Sequence, residues 1–139
     1  MRKLSFVLAF GLLVCSGKPG PKDVVFEFIR AVYDSDSTKI VEILDVDAYT
    51  RMHMVEMSPE DSALVLKEYR TKTIQSLLGD GEKRAFWTKS QILVNKEHVK
   101  GDFAEVDVSF IDRVTGVLLY TKIQLEKQPD GSWKIVYFK

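Results

Sequence analysis

The hydrophobic period changes once along this chain, and that change does most to limit the fold. Up to about residue 78 the apolar residues recur at helical spacing. Val25, Phe28, Ile29 and Val32 form one stripe, opposite Glu27 and Arg30. From about Phe86 the period falls to two. Ile92 and Val94 alternate with polar neighbours, and Ala104, Val106, Val108 and Phe110 alternate with Glu105, Asp107 and Ser109. Leu119, Thr121, Ile123 and Leu125 do so with Tyr120, Lys122, Gln124 and Glu126, and Trp133, Ile135 and Tyr137 with Lys134 and Val136. Strands with one polar face belong to an antiparallel sheet that covers a core on one side. Turn signals at 100–102, 113–116 and 129–131 separate the runs and predict a meander of three to four strands. Helices first and strands afterwards make an α+β domain, with N-terminal helices packed on a curved antiparallel sheet. Twist should curl that sheet around the longest helix.

The helical half divides at its breakers. Pro21 suits a first turn and Asp23 favours the positive end of the helix dipole, so a first helix is predicted over 21–34. Asp34-Ser35-Asp36-Ser37 ends it, and Ser37 caps a second helix from Thr38 to Leu44. Residues 45–57 are ambiguous, with Asp45 or Asp47 available as a cap. Ser58-Pro59-Glu60-Asp61 is a strong start signal. Leu66, Tyr69, Thr73, Ile74 and Leu77 follow, and Gly79-Asp80-Gly81 closes a long helix over 59–78.

Residues 1–15 read as an export signal. Arg2 and Lys3 precede an apolar run from Leu4 to Val14 that is shorter than the roughly 20 residues a membrane span needs. Residues 16–21 read as a tether, and 22–139 as a single domain. Cys15, the one cysteine, follows Leu12-Leu13-Val14 and precedes Ser16. That run resembles the lipobox of bacterial lipoproteins, with Val14 standing where Gly, Ala or Ser is usual. The resemblance implies lipidation at Cys15 and a protein anchored in the cell envelope by its lipid. The alternative is an ordinary apolar cysteine in a secretory signal, with a secreted or periplasmic product.

Without Arg2 and Lys3, 18 basic side chains face 20 acidic ones. A nucleic-acid partner would require a clustered basic face, which this balance does not offer.

Pro21-Lys22-Asp23-Val24-Val25-Phe26-Glu27-Phe28 resembles the opening of small bacterial lipoproteins of the nuclear transport factor two-like superfamily. The short helix after the acidic break and the ending Pro129-Asp130-Gly131-Ser132-Trp133-Lys134-Ile135 are similar too. The resemblance implies a cone-like fold with a cavity between helices and sheet. It spans binding domains and enzymes of the isomerase or dehydratase kind, so it implies shape more than chemistry.

Few residues offer chemistry. The chain has no Gly-x-Ser-x-Gly elbow, no glycine-rich loop before a helix, and no cysteine and histidine cluster for a metal. No cofactor and no catalytic residue is assigned. His53 is the sole plausible general base, and both His53 and His98 read as solvated surface groups. Asp34 and Asp36 read as turn and cap residues. Glu105, Asp107 and Glu126 fall on the polar strand face. Phe28, Tyr69, Trp87, Phe110 and Trp133 are expected to point inward. They either fill the core or line an apolar pocket for a small ligand. The domain is therefore expected to bind a small apolar ligand or another envelope protein without catalysis. The outer face of Tyr120, Lys122, Gln124 and Glu126 would be the surface for a protein partner. A cavity-using enzyme is the alternative.

Overall fold

Pro21 opens α1 (Pro21–Tyr33), which places Val25, Phe28 and Val32 on one fully buried face. This computed structural model describes residues 17–54 and 62–139. The export signal, Cys15 and Ser58-Pro59-Glu60-Asp61 lie outside the described residues. After α1 come α2 (Ser37–Ile43), α3 (Val46–Met54), α4 (Ser62–Ser76) and α5 (Glu82–Lys89). The strands β1 (Ser90–Lys100), β2 (Phe103–Asp112), β3 (Leu118–Lys127) and β4 (Trp133–Tyr137) follow as an antiparallel meander in the order β1-β2-β3-β4. The expected α+β class is what the chain forms, and of the three to four strands expected there are four.

Aspartates cap the short helices. Asp36 Oδ1 accepts from the Lys39 amide at 3.0 Å, so Asp36 and not Ser37 is the cap of α2. Asp45 Oδ1 accepts from the Ala48 amide at 3.0 Å, and the described part of the ambiguous segment, Val46–Met54, is a helix. Each bond satisfies an amide that the first helical turn would otherwise leave open.

Three expectations change. Phe86 and Trp87 lie on α5, not on a strand. Their neighbours Glu82 and Lys89 suit the two ends of a helix dipole, a signal that the alternating strands downstream overshadowed. Next, the sheet does not curl around the longest helix. Helix α1 lies across β1, β2 and β4, while α4 packs on α2, α3 and α5. Leu77, just beyond α4, is fully buried, but Leu66 and Tyr69 are half-exposed and Leu64 is open to solvent.

The third change is in β4. Ile135 pairs with Leu125, but Tyr137 pairs with Gln124, so Val136 is an extra residue in a β-bulge. A bulge shifts the side chains that follow it. Tyr137 therefore falls out of step with Ile135, and Phe138 takes a buried place at 1% exposure. Trp133 is half-buried at the rim of the core, with the Lys127 ammonium over its ring at 5.9 Å.

Candidate functional site

Aromatic rings from four elements meet between the helices and the sheet. Phe28 of α1 sits edge-on to Trp87 of α5 at 5.7 Å and also lies 5.7 Å from Phe138. Trp87 lies 5.6 Å from Phe138 and 5.6 Å from Phe110 of β2. Tyr49 of α3 extends the cluster, 4.8 Å from Phe138. These separations suit edge-to-face and tilted packing, which adds to area burial. Lys83 lies 5.6 Å above the Phe138 ring at the edge of the cluster, and burial lowers its pKa from the ordinary lysine value.

Three of the five aromatics singled out from sequence, Phe28, Trp87 and Phe110, thus occupy the interior. Trp133 stands at its rim. Tyr69 is half-buried on α4, outside the core cluster.

His53 ends α3 as an exposed residue. Its Nδ1 lies 2.9 Å from the Tyr49 carbonyl one turn back, and its ring stacks between Tyr49 at 4.3 Å and Tyr137 at 5.2 Å. Asp36 is committed to its cap, and His98 is exposed with Nε2 3.3 Å from Asp107 Oδ2. Among the described residues no group of three or more His, Cys, Asp or Glu converges as a metal site.

Open volume lies beneath α3. There a groove of about 490 Å³ separates the helix from the start of β2, the end of β3 and the bulge in β4. Ala48 and Met52, one turn apart, form its roof. Phe103, Ala104, Leu125 and Val136 supply the apolar part of its lining. Arg51, Glu105, Gln124 and Glu126 stand at its margin. Glu105 is paired with Lys122 at 3.4 Å, while among the described residues no carboxylate pairs with Arg51. Apolar lining beside the Arg51 guanidinium can hold an apolar body that carries an acceptor. Sequence reading missed this groove. Its one signal was Ala48 and Met52 at helical spacing in the ambiguous segment.

The outer sheet face carries Tyr120 and Lys122 exposed, as expected, while Gln124 and Glu126 border the groove. Leu93, Leu118 and Tyr120 are exposed together on that face, around the buried Ser109.

A solved structure from Campylobacter jejuni, provisionally named an NTF2-like transpeptidase, superposes with a TM-score of 0.51. The two share 15% identity over 87% of this chain and all of that one. This is an NTF2-like cone fold. A protein from Shewanella frigidimarina, provisionally named a ketosteroid isomerase, matches the cone with a TM-score of 0.50 and 19% identity. That match covers 83% of this chain and 89% of the other. No protein-family model matches the chain, and no curated protein matches it by sequence. At these identities the NTF2-like likeness concerns the fold alone. What this cone can do rests on its own residues.

Proposed function

We propose that this chain is an exported envelope protein, anchored through a lipid on Cys15. Its cone domain is a non-catalytic module that holds a small amphipathic ligand in the groove beneath α3. The observation that carries this reading is an apolar-lined groove beside a filled interior. Phe28, Trp87, Phe110 and Phe138 pack the interior, and the groove remains open. An isomerase or dehydratase of this shape would need a tuned acid or base inside a cavity. His53 is exposed and bonded to its own helix.

The test is titration of the domain with an apolar fluorophore carrying a sulfonate. Saturable binding is expected. Ala48→Trp, which fills the groove, should abolish it, and Arg51→Glu should weaken it about tenfold, the cost of roughly one charge-assisted bond. Undiminished binding by a folded Ala48→Trp defeats the reading.

A protein partner is the second reading, carried by Leu93, Leu118 and Tyr120 on the outer sheet face. A photo-crosslinker at position 120 that captures one envelope protein, with the same group at position 52 silent, would favour it.

A further inference from the structure

We propose that one end of the sheet, the end bearing the β1–β2 and β3–β4 turns, lies on the lipid surface. The proposal rests on the anchoring of Cys15 proposed above. In a meander, alternate turns share an end. Here the Lys127 amide donates to the Asp102 carbonyl at 2.7 Å and ties the two turns together.

The chain enters the domain at the same end. The Lys18 ammonium donates to the Asp130 carbonyl in the β3–β4 turn and lies 4.0 Å from the Asp130 carboxylate. The Lys22 amide donates to Glu97 Oε2, near the end of β1, at 3.0 Å. Three residues lead from Lys18 back to Cys15, a reach of about 11 Å when fully extended. A lipid on Cys15 therefore holds this end of the sheet close to the bilayer.

The side chains there suit an interface between water and lipid. Phe103 is 63% exposed and Val99 53%, and Phe103 stands opposite Lys100 in the ladder. Lys18, Lys100 and Lys127 are exposed around them, interspersed with Glu97, Asp102, Glu126 and Asp130, so the apolar side chains and the anchor, not net charge, would hold this end. An aromatic ring can enter the headgroup layer while lysines snorkel to phosphate.

The β2–β3 turn also exposes apolar residues, Val114 and Val117. It sits at the far end of strands of ten residues, about 33 Å away. The tether is roughly a third of that length, so distance decides between the two ends.

Lysine footprinting tests the orientation. The lipidated full chain in vesicles of phosphatidylethanolamine and phosphatidylglycerol is acylated with a water-soluble reagent and compared with Cys15→Ser in solution. Labelling at Lys18, Lys100 and Lys127 should fall several-fold on vesicles. Lys89, at the opposite end beside Asp112, should label as in solution. Phe103→Asp should restore labelling at Lys100. If a floated, lipidated chain protects Lys89 as strongly as Lys100, or leaves Lys100 and Lys127 fully reactive, the orientation is wrong and the anchor stands. If the N-terminal peptide carries no acyl mass and the chain does not float, the anchor reading fails and this orientation falls with it.

Discussion

Arg84 and Tyr33 close each other's helices. The Arg84 guanidinium, on α5, donates from Nε to the Val32 carbonyl at 2.9 Å and from Nη2 to the Tyr33 carbonyl at 2.7 Å, both at the end of α1. Its third bond, from Nη1, goes to Gly79 at 2.9 Å. Tyr33 answers at the end of α5, where its hydroxyl lies 3.0 Å from the Trp87 carbonyl and 3.2 Å from that of Ser90. Carbonyls at the end of each helix are met by a side chain of the other, although the Val32 carbonyl also accepts from the Ser35 amide and the Trp87 carbonyl from the Ser90 amide.

Arg84→Ala should therefore cost about 2–3 kcal/mol, because it removes three bonds from a charged donor, to Val32, Tyr33 and Gly79. Tyr33→Phe should cost about 1 kcal/mol. Urea melts of both single variants and the double variant measure their coupling, which should be non-additive for groups that share one junction.

The two tryptophans should separate. Trp87 is 3% exposed at the centre of the ring cluster, so Trp87→Ala should cost about 3–5 kcal/mol. Trp133→Ala, at the rim, should cost about 1–2 kcal/mol. Iodide should quench the emission of Trp87→Phe, which retains Trp133, more strongly than that of Trp133→Phe.

Two glycines in one turn should respond in the opposite order to their dihedral angles. Gly79 has φ of +51°, with open space where a Cβ would stand. An alanine there should cost about 1 kcal/mol of backbone strain. Gly81 has an ordinary φ of −57°, but a Cβ would meet the Gln75 carbonyl oxygen at 2.3 Å and that of Ser76 at 2.4 Å. Gly81→Ala should be the costlier change, about 2–3 kcal/mol, because backbone must move. Paired denaturant melts give the order directly.

Tyr49 sets a pH limit on the alkaline side. Its hydroxyl is buried and meets no hydrogen-bond partner among the described residues. Burial, with the Tyr137 phenol nearby, pushes its pKa well above the ordinary 10.0. Above about pH 10 the unfolded chain releases a proton that the folded chain retains, so stability should fall with rising pH. Below that pH the contribution is constant. Tyr49→Phe should flatten the alkaline limb and be close to neutral at pH 7, since it deletes a hydroxyl that no described residue pairs. Stability melts across the alkaline range, with phenolate absorbance as a second readout, check both effects.

Periodicity carried the architecture. Ala104, Val106, Val108 and Ile123 gave the sheet its inner face, and Pro21 with the Phe28 stripe gave α1. Two local features escaped that reading. The bulge at Val136 is set by how β3 and β4 meet in space, and it exchanged Tyr137 for Phe138 in the core. Helix α5 is only eight residues long, too short for a clear period. The groove was hidden for a related reason. It forms where the amphipathic α3 meets the ends of β2, β3 and β4, and that gap belongs to no single segment.

The unbroken β1-β2-β3-β4 order also has a kinetic side. Every ladder joins neighbours in sequence, and every connection is a short turn, so little loop entropy opposes the growth of the sheet. The costly closure is the return of Leu44 beside Ile135, which brings the helical half onto the last strand. The nucleus can therefore form within the C-terminal half alone. The helices then dock onto a surface that already exists, so a chain threaded N-terminus first through any pore would acquire its tertiary structure only after the last strand has emerged.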